Sequence, residues 1–156
     1  MFFICFIYFN AFFLYNKYGG INMNRSELRE VIIKVLYEVY IYNEKNIDFK
    51  LNDLIKEQIE KENDFVKNTL EGIIKNQDTI SKIANKYMKD WNIDRIGKVD
   101  KAILSLAIYE LMYTDTPNVV AINEAVELSK KYSDEKVVKL INGTLDSIMH
   151  KEVTNE

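Results

Sequence analysis

Hydrophobic residues recur at helical spacing soon after the start of the chain. The segment NRSELREVIIKVLYEVYIYN, which begins at Asn24, places apolar residues three or four positions apart. These residues are Leu28, Ile32, Val35, Leu36 and Val39. Asn24 or Ser26 can cap the start of the helix, because their side chains accept hydrogen bonds from free amides. The pattern predicts a first, amphipathic helix.

Two further segments have the same spacing. DFKLNDLIKEQIEKE predicts a short second helix, and NDFVKNTLEGIIKNQDTISKIANKYMKDW predicts a long third one. The third helix begins at a cap formed by Asn63 or Asp64, and the polar residues 76–78 predict a break within it. The polar faces of both helices are typical of solvated surface.

The segment VDKAILSLAIYELMYTD is apolar at too many positions for a single stripe. A helix that is hydrophobic on most of its circumference is buried on several sides. This segment therefore predicts the central core helix of the protein.

The only proline of the chain, Pro117, follows this core helix. Proline is compatible with the first turn of a helix but not with its interior, so Pro117 ends one helix and opens the next, with Thr116 or Asn118 as the cap. The residues that share one face of the new helix are Val119, Ile122, Val126 and Ser129. Asn123 then lies at the edge of the core, where its amide requires a hydrogen bond.

The last helical segment is DEKVVKLINGTLDSIMHK, with Ser133 or Asp134 as its cap. Gly143 lies in the middle of this segment, where glycine costs about 1 kcal/mol relative to alanine. A glycine kept at such a position predicts the close approach of another helix.

Composition agrees with a helical fold and excludes several classes of site. A chain of 156 residues with 47% hydrophobic residues, five Gly and one Pro predicts one all-α domain. One Cys and one His, His150, argue against an intrachain disulfide and a metal site, and a reducing cytoplasmic compartment fits best. The formal net charge of -3 argues against a uniformly basic nucleic-acid binder.

The first 15 residues differ from the rest of the chain. They are uncharged and hold six of its eight Phe residues. The codons of Gly19 and Gly20 could form a bacterial ribosome-binding site. Its distance from the codon of Met23 would then suit a start codon at that position. We interpret residues 1–22 as mistranslated upstream sequence. A short hydrophobic anchor and an additional structured helix are the alternatives. The anchor falls short of the roughly 20 apolar residues of a membrane span.

Three blocks of the sequence resemble the NusB family of bacterial transcription antitermination factors. They are RSELREVIIKVLYEVY, RIGKVDKAILSLAIYELMY and TPNVVAINEAVELSKKYSDEKVVKLINGTLDSIM, so that the resemblance covers residues 23–150 and leaves 151–156 as a tail. The resemblance implies a compact single-domain bundle of about seven helices without catalytic activity or a cofactor. It also implies that the protein pairs with NusE, a small-subunit ribosomal protein, and that the pair binds boxA RNA in ribosomal RNA leaders.

Five residues are candidates for RNA binding. Arg25 and Arg29 lie four positions apart in the first helix, so their guanidinium groups project from one face and predict up to two phosphate contacts. Tyr37 lies two turns later and offers a ring on which a base can stack. Lys136 and Lys139 add positive charge on the last helix, although a plain solvated face explains these two lysines equally well.

The sequence departs from the family pattern near both groups of candidates. Ser26 and Glu27 stand where many relatives have basic residues, and Leu140-Ile141 stands where many have an aromatic residue before Asn-Gly. These departures predict RNA binding that is weaker or more dependent on a partner.

Several functional alternatives remain open at the level of sequence. An RNA- and protein-binding antitermination factor, linked indirectly to the RNA polymerase elongation complex, is the leading hypothesis. The others are an accessory module that assists an RNA methyltransferase and an interaction module that has lost RNA binding. Glu124 and Glu127 lie three positions apart, but no nucleophile motif or phosphate loop accompanies them, so they predict helix surface rather than an enzyme. A monomer and a homodimer are both compatible with the sequence, and a membrane association is not expected.

Overall fold

The computed structural model describes residues 22–153, and helices are the regular secondary structure in that range. The α-helices are α1 (Arg25–Glu44), α2 (Leu51–Gln58), α3 (Asp64–Tyr87), α4 (Lys98–Tyr113), α5 (Asn118–Tyr132) and α6 (Glu135–Ile148), and a π-helical turn (Met149–Val153) follows them. The predicted all-α class is confirmed, with six α-helices in the described residues where about seven were expected. Residues 1–21 and residues 154–156 lie outside the described range, so the interpretation of residues 1–22 as upstream sequence stays a prediction.

The chain divides into two compact units between Lys67 and Asn68. The N-terminal unit contains α1, α2 and the first residues of α3, and the C-terminal unit contains the rest of α3, the helices α4 to α6 and the π-helical turn. The boundary lies inside an unbroken helix. No linker marks it in the sequence, which is why the sequence predicted one undivided domain over residues 23–150.

Local hydrogen bonds fix the starts of three helices where the sequence predicted them. The Asn24 side chain accepts from the Glu27 amide at 3.0 Å, and the Glu27 carboxylate accepts from the Asn24 amide at 2.7 Å. Asn63 and Asp134 each accept from the amide three residues further on, at 3.1 and 2.9 Å. Each such cap stabilises its helix by about 1 kcal/mol.

The predicted break in α3 is wrong. The helix is continuous from Asp64 to Tyr87. Asn76 donates to the carbonyl oxygen of Gly72 at 2.7 Å, and Gln77 donates to the hydroxyl of Ser105 on α4 at 3.2 Å. These polar side chains are therefore satisfied by the helix backbone and by a neighbouring helix, so they do not terminate the helix.

Helix α1 is buried more completely than an amphipathic helix should be. The five apolar residues predicted for its core face are buried, as expected. All residues from 28 to 36 are buried, however, and they include Arg29, Glu30 and Lys34 with exposed fractions of 5%, 7% and 3%. The burial of these charged residues departs from the simple amphipathic pattern predicted for the first helix.

Helix α4 is the core helix that the sequence predicted. Its residues 102–108 are all buried, and α4 packs against both α5 and α6 within the C-terminal unit. From α6, the side chains of Ile141, Leu145 and Ile148 are fully buried.

Pro117 stands immediately before α5, as predicted, but it occupies the N-cap position itself and no side chain caps the helix. The predicted cap at Thr116 or Asn118 is therefore wrong. The Thr116 hydroxyl instead donates to the carboxylate of Glu110, which is buried in α4, at 3.2 Å. This bond ties the turn before α5 to the end of α4.

The buried face of α5 differs from the predicted one. Val119 is 65% exposed and Asn123 is exposed, so the predicted positions of both residues are wrong. The buried residues are Ala121, Ile122, Ala125, Leu128 and Ser129, which recur at helical spacing. Small alanines line this face, and a pattern of large apolar residues alone misses them.

The prediction of close packing at Gly143 is also wrong. A Cβ atom built on Gly143 would meet nothing within 4 Å, because the buried positions of α6 leave residue 143 on its outer face. The close approach in the C-terminal unit occurs at Gly72 of α3 instead. A Cβ atom there would overlap the end of the Tyr109 ring, including Cε2 at 2.6 Å.

A partly buried carboxylate joins α1 and α2 in the N-terminal unit. Oε1 of Glu38 accepts a hydrogen bond from Gln58 at 2.9 Å, whereas Oε2 is buried without a hydrogen-bond partner. Burial raises the pKa of the Glu38 carboxyl, the negative charge of Glu57 raises it further, and the bond from Gln58 opposes the rise.

Glu38→Gln should make the protein more stable at neutral pH. An acid whose pKa is raised in the folded state binds its proton more tightly there, so the wild type loses stability as the pH rises from the usual glutamate value through the raised one. Glutamine keeps the acceptor for Gln58 and carries no charge. Urea unfolding from pH 4 to pH 8 should show a gain for the variant at pH 7 that shrinks toward pH 4; a constant difference across that range would contradict the assigned cause.

Candidate nucleic-acid interface

Arg25 and Arg29 of α1 meet at one aromatic ring, that of Phe65 in the first turn of α3. The Cζ atoms of Arg25 and Arg29 lie 4.0 and 5.9 Å from the centroid of this ring. The capping box at Asn24 fixes the start of α1, and the Asn63 cap fixes the start of α3. The arginines and the ring therefore lie at two locally capped helix starts.

The two arginines differ in their access to solvent. Arg25 is exposed, whereas Arg29 is 5% exposed. A guanidinium stacked on a ring keeps its N–H groups directed outward in the plane, where they can donate to a phosphate. Arg25 meets this condition. The expectation that both arginines project into solvent is wrong for Arg29, because the side chain is almost completely enclosed.

The aromatic residue at this site was not identified from the sequence. Tyr37 is half-buried and lies eight residues after Arg29, about 12 Å along the helix axis. Phe65 is the ring that contacts the arginines. Its only sequence signal is an aromatic residue directly after a helix cap, and that signal does not show which distant residues it contacts.

The two lysines predicted on α6 are both exposed, and each has a different neighbour. The Nζ atom of Lys136 lies 5.1 Å from the centroid of the Trp91 ring. Lys139, one turn later, pairs with Glu135 at 3.1 Å. An exposed pair of this kind contributes only about 0.3–0.5 kcal/mol, so Lys139 can exchange this partner for a phosphate.

A hydrogen bond between distant residues positions the start of α6. The Ser133 hydroxyl, between α5 and α6, donates to the carboxylate of Asp100 in the first turn of α4. Burial raises the pKa of the Asp100 carboxyl; the bond from Ser133 opposes the rise, and the nearby charge of Asp134 adds to it. The first turn of α6, which carries Lys136, is thereby fastened to the core helix of the C-terminal unit.

The other sites considered from the sequence do not assemble into reactive groups. Glu127 is exposed and pairs with Lys130 at 2.9 Å, and Glu124 is half-buried on the same helix. Within residues 22–153, no group of His, Cys, Asp and Glu is arranged to hold a metal ion. In the same range, none of the helices combines the length and the apolar character needed to cross a bilayer.

Comparison with known proteins finds similarity to one family. A sequence model of the NusB family matches residues 26–150. The transcription antitermination protein NusB of Clostridium botulinum, strain Alaska E43, is 44% identical over 134 residues, which cover 83% of this chain and 100% of that protein.

Solved structures agree in fold. NusB of T. maritima has a TM-score of 0.73 and 28% identity, over 85% of this chain and 95% of that one. A chain from the crystal structure of the antitermination factors NusB and NusE in complex with dsRNA has a TM-score of 0.69 and 28% identity, over 81% of this chain and 96% of that one.

Proposed function

The chain belongs to the NusB family of transcription antitermination proteins, and from this premise we propose that it binds boxA-type leader RNA together with NusE. In this role it supports transcription of ribosomal RNA in the cytoplasm. NusE, a small-subunit ribosomal protein, is the protein partner. The family match over residues 26–150 supports residues 23–150 as the functional domain. The similarity to a solved NusB–NusE–dsRNA complex supports the choice of both partners.

The stacking of Arg25 on Phe65 is the observation that carries the RNA-binding part of the proposal. Arg25 is exposed, and its guanidinium is 4.0 Å from the ring centroid. A stacked arginine needs less ordering to bind a phosphate than a free one, because the ring already restricts its conformations. Lys136 and Lys139 are the proposed phosphate contacts of the C-terminal unit, and Tyr37 remains a proposed stacking residue.

The acidic net charge and the single exposed arginine of α1 support a requirement for a protein partner. The formal net charge is -3, and Arg29 is enclosed, which leaves Arg25 as the exposed arginine of α1. Affinity for RNA depends on the number of phosphates neutralised, since each one releases counterions. We therefore expect weak RNA binding by the chain alone and much tighter binding by its complex with NusE.

The burial of Arg29 also favours a second candidate function. A family member with a single exposed arginine on α1 can act as an interaction module, for example beside an RNA methyltransferase, without binding RNA itself. Both candidate functions include binding to a protein partner. They differ because the interaction module makes no contact with RNA.

Fluorescence anisotropy with a labelled single-stranded boxA-type RNA separates the two functions. The chain, NusE and their equimolar mixture are titrated at several salt concentrations. The mixture should bind about 5- to 150-fold more tightly than either protein alone, a typical range of coupling between two binding events.

Two other results would contradict the proposal in different ways. If the chain co-purifies with NusE and adds nothing to its RNA affinity, the interaction module is the correct function. If the chain binds neither NusE nor the RNA, both candidate functions are wrong.

A further inference from the structure

We propose that Trp91 and Lys136 form a stacking site for one unpaired RNA base and its adjacent phosphate, an inference that rests on the proposed RNA-binding function. Trp91 lies in the segment between α3 and α4 and is half-buried, so the core does not enclose it completely. Lys136, exposed in the first turn of α6, places its ammonium 5.1 Å from the centroid of this ring. An aromatic surface and a positive charge are therefore adjacent.

An RNA base can replace the ammonium of Lys136 on the ring of Trp91. A lysine above a half-buried ring is held only weakly when its own ammonium is exposed, because water solvates the ammonium almost as well. Stacking of a base on an aromatic side chain is stronger, and its loss typically weakens binding of a single strand by about 5- to 150-fold. A base can therefore displace the ammonium from the ring, and the flexible stem of Lys136 then lets it reach the phosphate of the same nucleotide.

The neighbouring acidic groups have partners within the protein before RNA binds. The carboxylate of Asp134 accepts the amide hydrogen of Val137 at 2.9 Å, and Glu135 pairs with Lys139 at 3.1 Å. These carboxylates still reduce the local positive potential, so one phosphate contact is expected from Lys136 rather than several.

The chemistry of the surroundings favours a nucleic acid over an apolar protein segment. At the start of α6, positions 135, 136 and 139 are charged and exposed, whereas the apolar residues at 137, 138 and 140 are half-buried. An apolar protein segment would need a wider uncharged surface than one half-buried ring. A single base needs only the face of that ring and a cation for its phosphate.

Trp91 is the only tryptophan of the chain, so its fluorescence reports directly on this site. The complex of the full chain with NusE is titrated with a single-stranded boxA-type RNA, and tryptophan emission is recorded beside the anisotropy of the labelled RNA. Any emission from NusE is removed by subtracting the same titration with Trp91→Phe. The RNA should quench the emission of Trp91 over the concentration range in which the anisotropy rises.

Variants at the two positions give independent readouts. Trp91→Leu should weaken RNA binding about 5- to 150-fold, whereas Trp91→Phe should retain most of the affinity because phenylalanine can still stack. Lys136→Ala should reduce the slope of log affinity against log salt by about 0.7, the contribution of one phosphate contact to a single strand. Lys130→Ala, which removes another exposed lysine, from α5, is the matched control and should leave the slope unchanged.

The possible results distinguish this inference from the proposed function. If the complex binds RNA and neither the emission of Trp91 nor the affinity of Trp91→Leu changes, the stacking site is wrong and the proposed function stands. If the wild-type complex does not bind RNA, both are wrong. If circular dichroism shows that Trp91→Leu does not fold, the fluorescence of the wild-type complex tests the stacking site by itself. Quenching of Trp91 by RNA then supports the site, and unchanged emission contradicts it.

Discussion

Gly72→Ala and Gly143→Ala should change the stability of the protein in opposite directions. The Cβ atom of alanine at position 72 would overlap the ring of Tyr109, and this ring is already stacked on Tyr113 with centroids 5.4 Å apart. Overpacking of this kind costs about 1–3 kcal/mol, more than the roughly 1 kcal/mol that alanine contributes to the helix. At position 143 nothing lies within 4 Å, so Gly143→Ala should gain about 0.5–1 kcal/mol.

Urea unfolding of the two variants and the wild type measures this difference. A double-mutant cycle then tests the cause, because Gly72→Ala should become neutral or stabilising when it is made in a Tyr109→Ala background. Gly143→Ala serves as the matched control for the effect of the same substitution on helix propensity. If Gly72→Ala alone is as stable as the wild type, the ring of Tyr109 moves freely and the close approach is not a constraint.

Arg25→Ala should weaken RNA binding by the complex with NusE and make it less sensitive to salt. One lost phosphate contact reduces the slope of log affinity against log salt by about 0.7 for a single strand and about 0.9 for a duplex. The sequence predicted up to two such contacts from Arg25 and Arg29. Because Arg29 is 5% exposed, we expect Arg29→Ala to lower the thermal stability and leave the slope nearly unchanged.

Lys45→Ala is the control for Arg25→Ala. Lys45 is exposed at the other end of α1, about 30 Å away along the helix, and its substitution changes the net charge by the same amount. Gel filtration with NusE confirms that each complex remains intact. Equal salt slopes for Arg25→Ala and the wild type would show that the arginine on Phe65 is ordinary solvated surface.

The candidate RNA-binding residues of the two units could be predicted only in part. The sequence placed Arg25, Arg29, Lys136 and Lys139 on the correct helices, because helical spacing is a local property. It could not identify Phe65 or Trp91, which lie 40 and 45 positions in sequence from Arg25 and Lys136. Such pairs depend on which helix starts and connecting segments come together, and no periodicity within one segment contains that information.

The sequence by itself determined the all-α class, the core helix α4 and the family, and it narrowed the caps of three helices to pairs of adjacent or nearby residues that include Asn24, Asn63 and Asp134. These features depend on hydrogen bonds that span three or four residues, on apolar spacing within one helix, or on the identity of residues in continuous blocks.

Only the tertiary structure decided which positions are enclosed. It placed the close approach at Gly72 rather than Gly143, left Val119 exposed, enclosed Arg29, and set the boundary between two units inside α3. The physical reason is that burial is a property of the neighbours that pack around a residue. Those neighbours come from other helices, so the same residue type at the same helical spacing can be either a core position or a surface position.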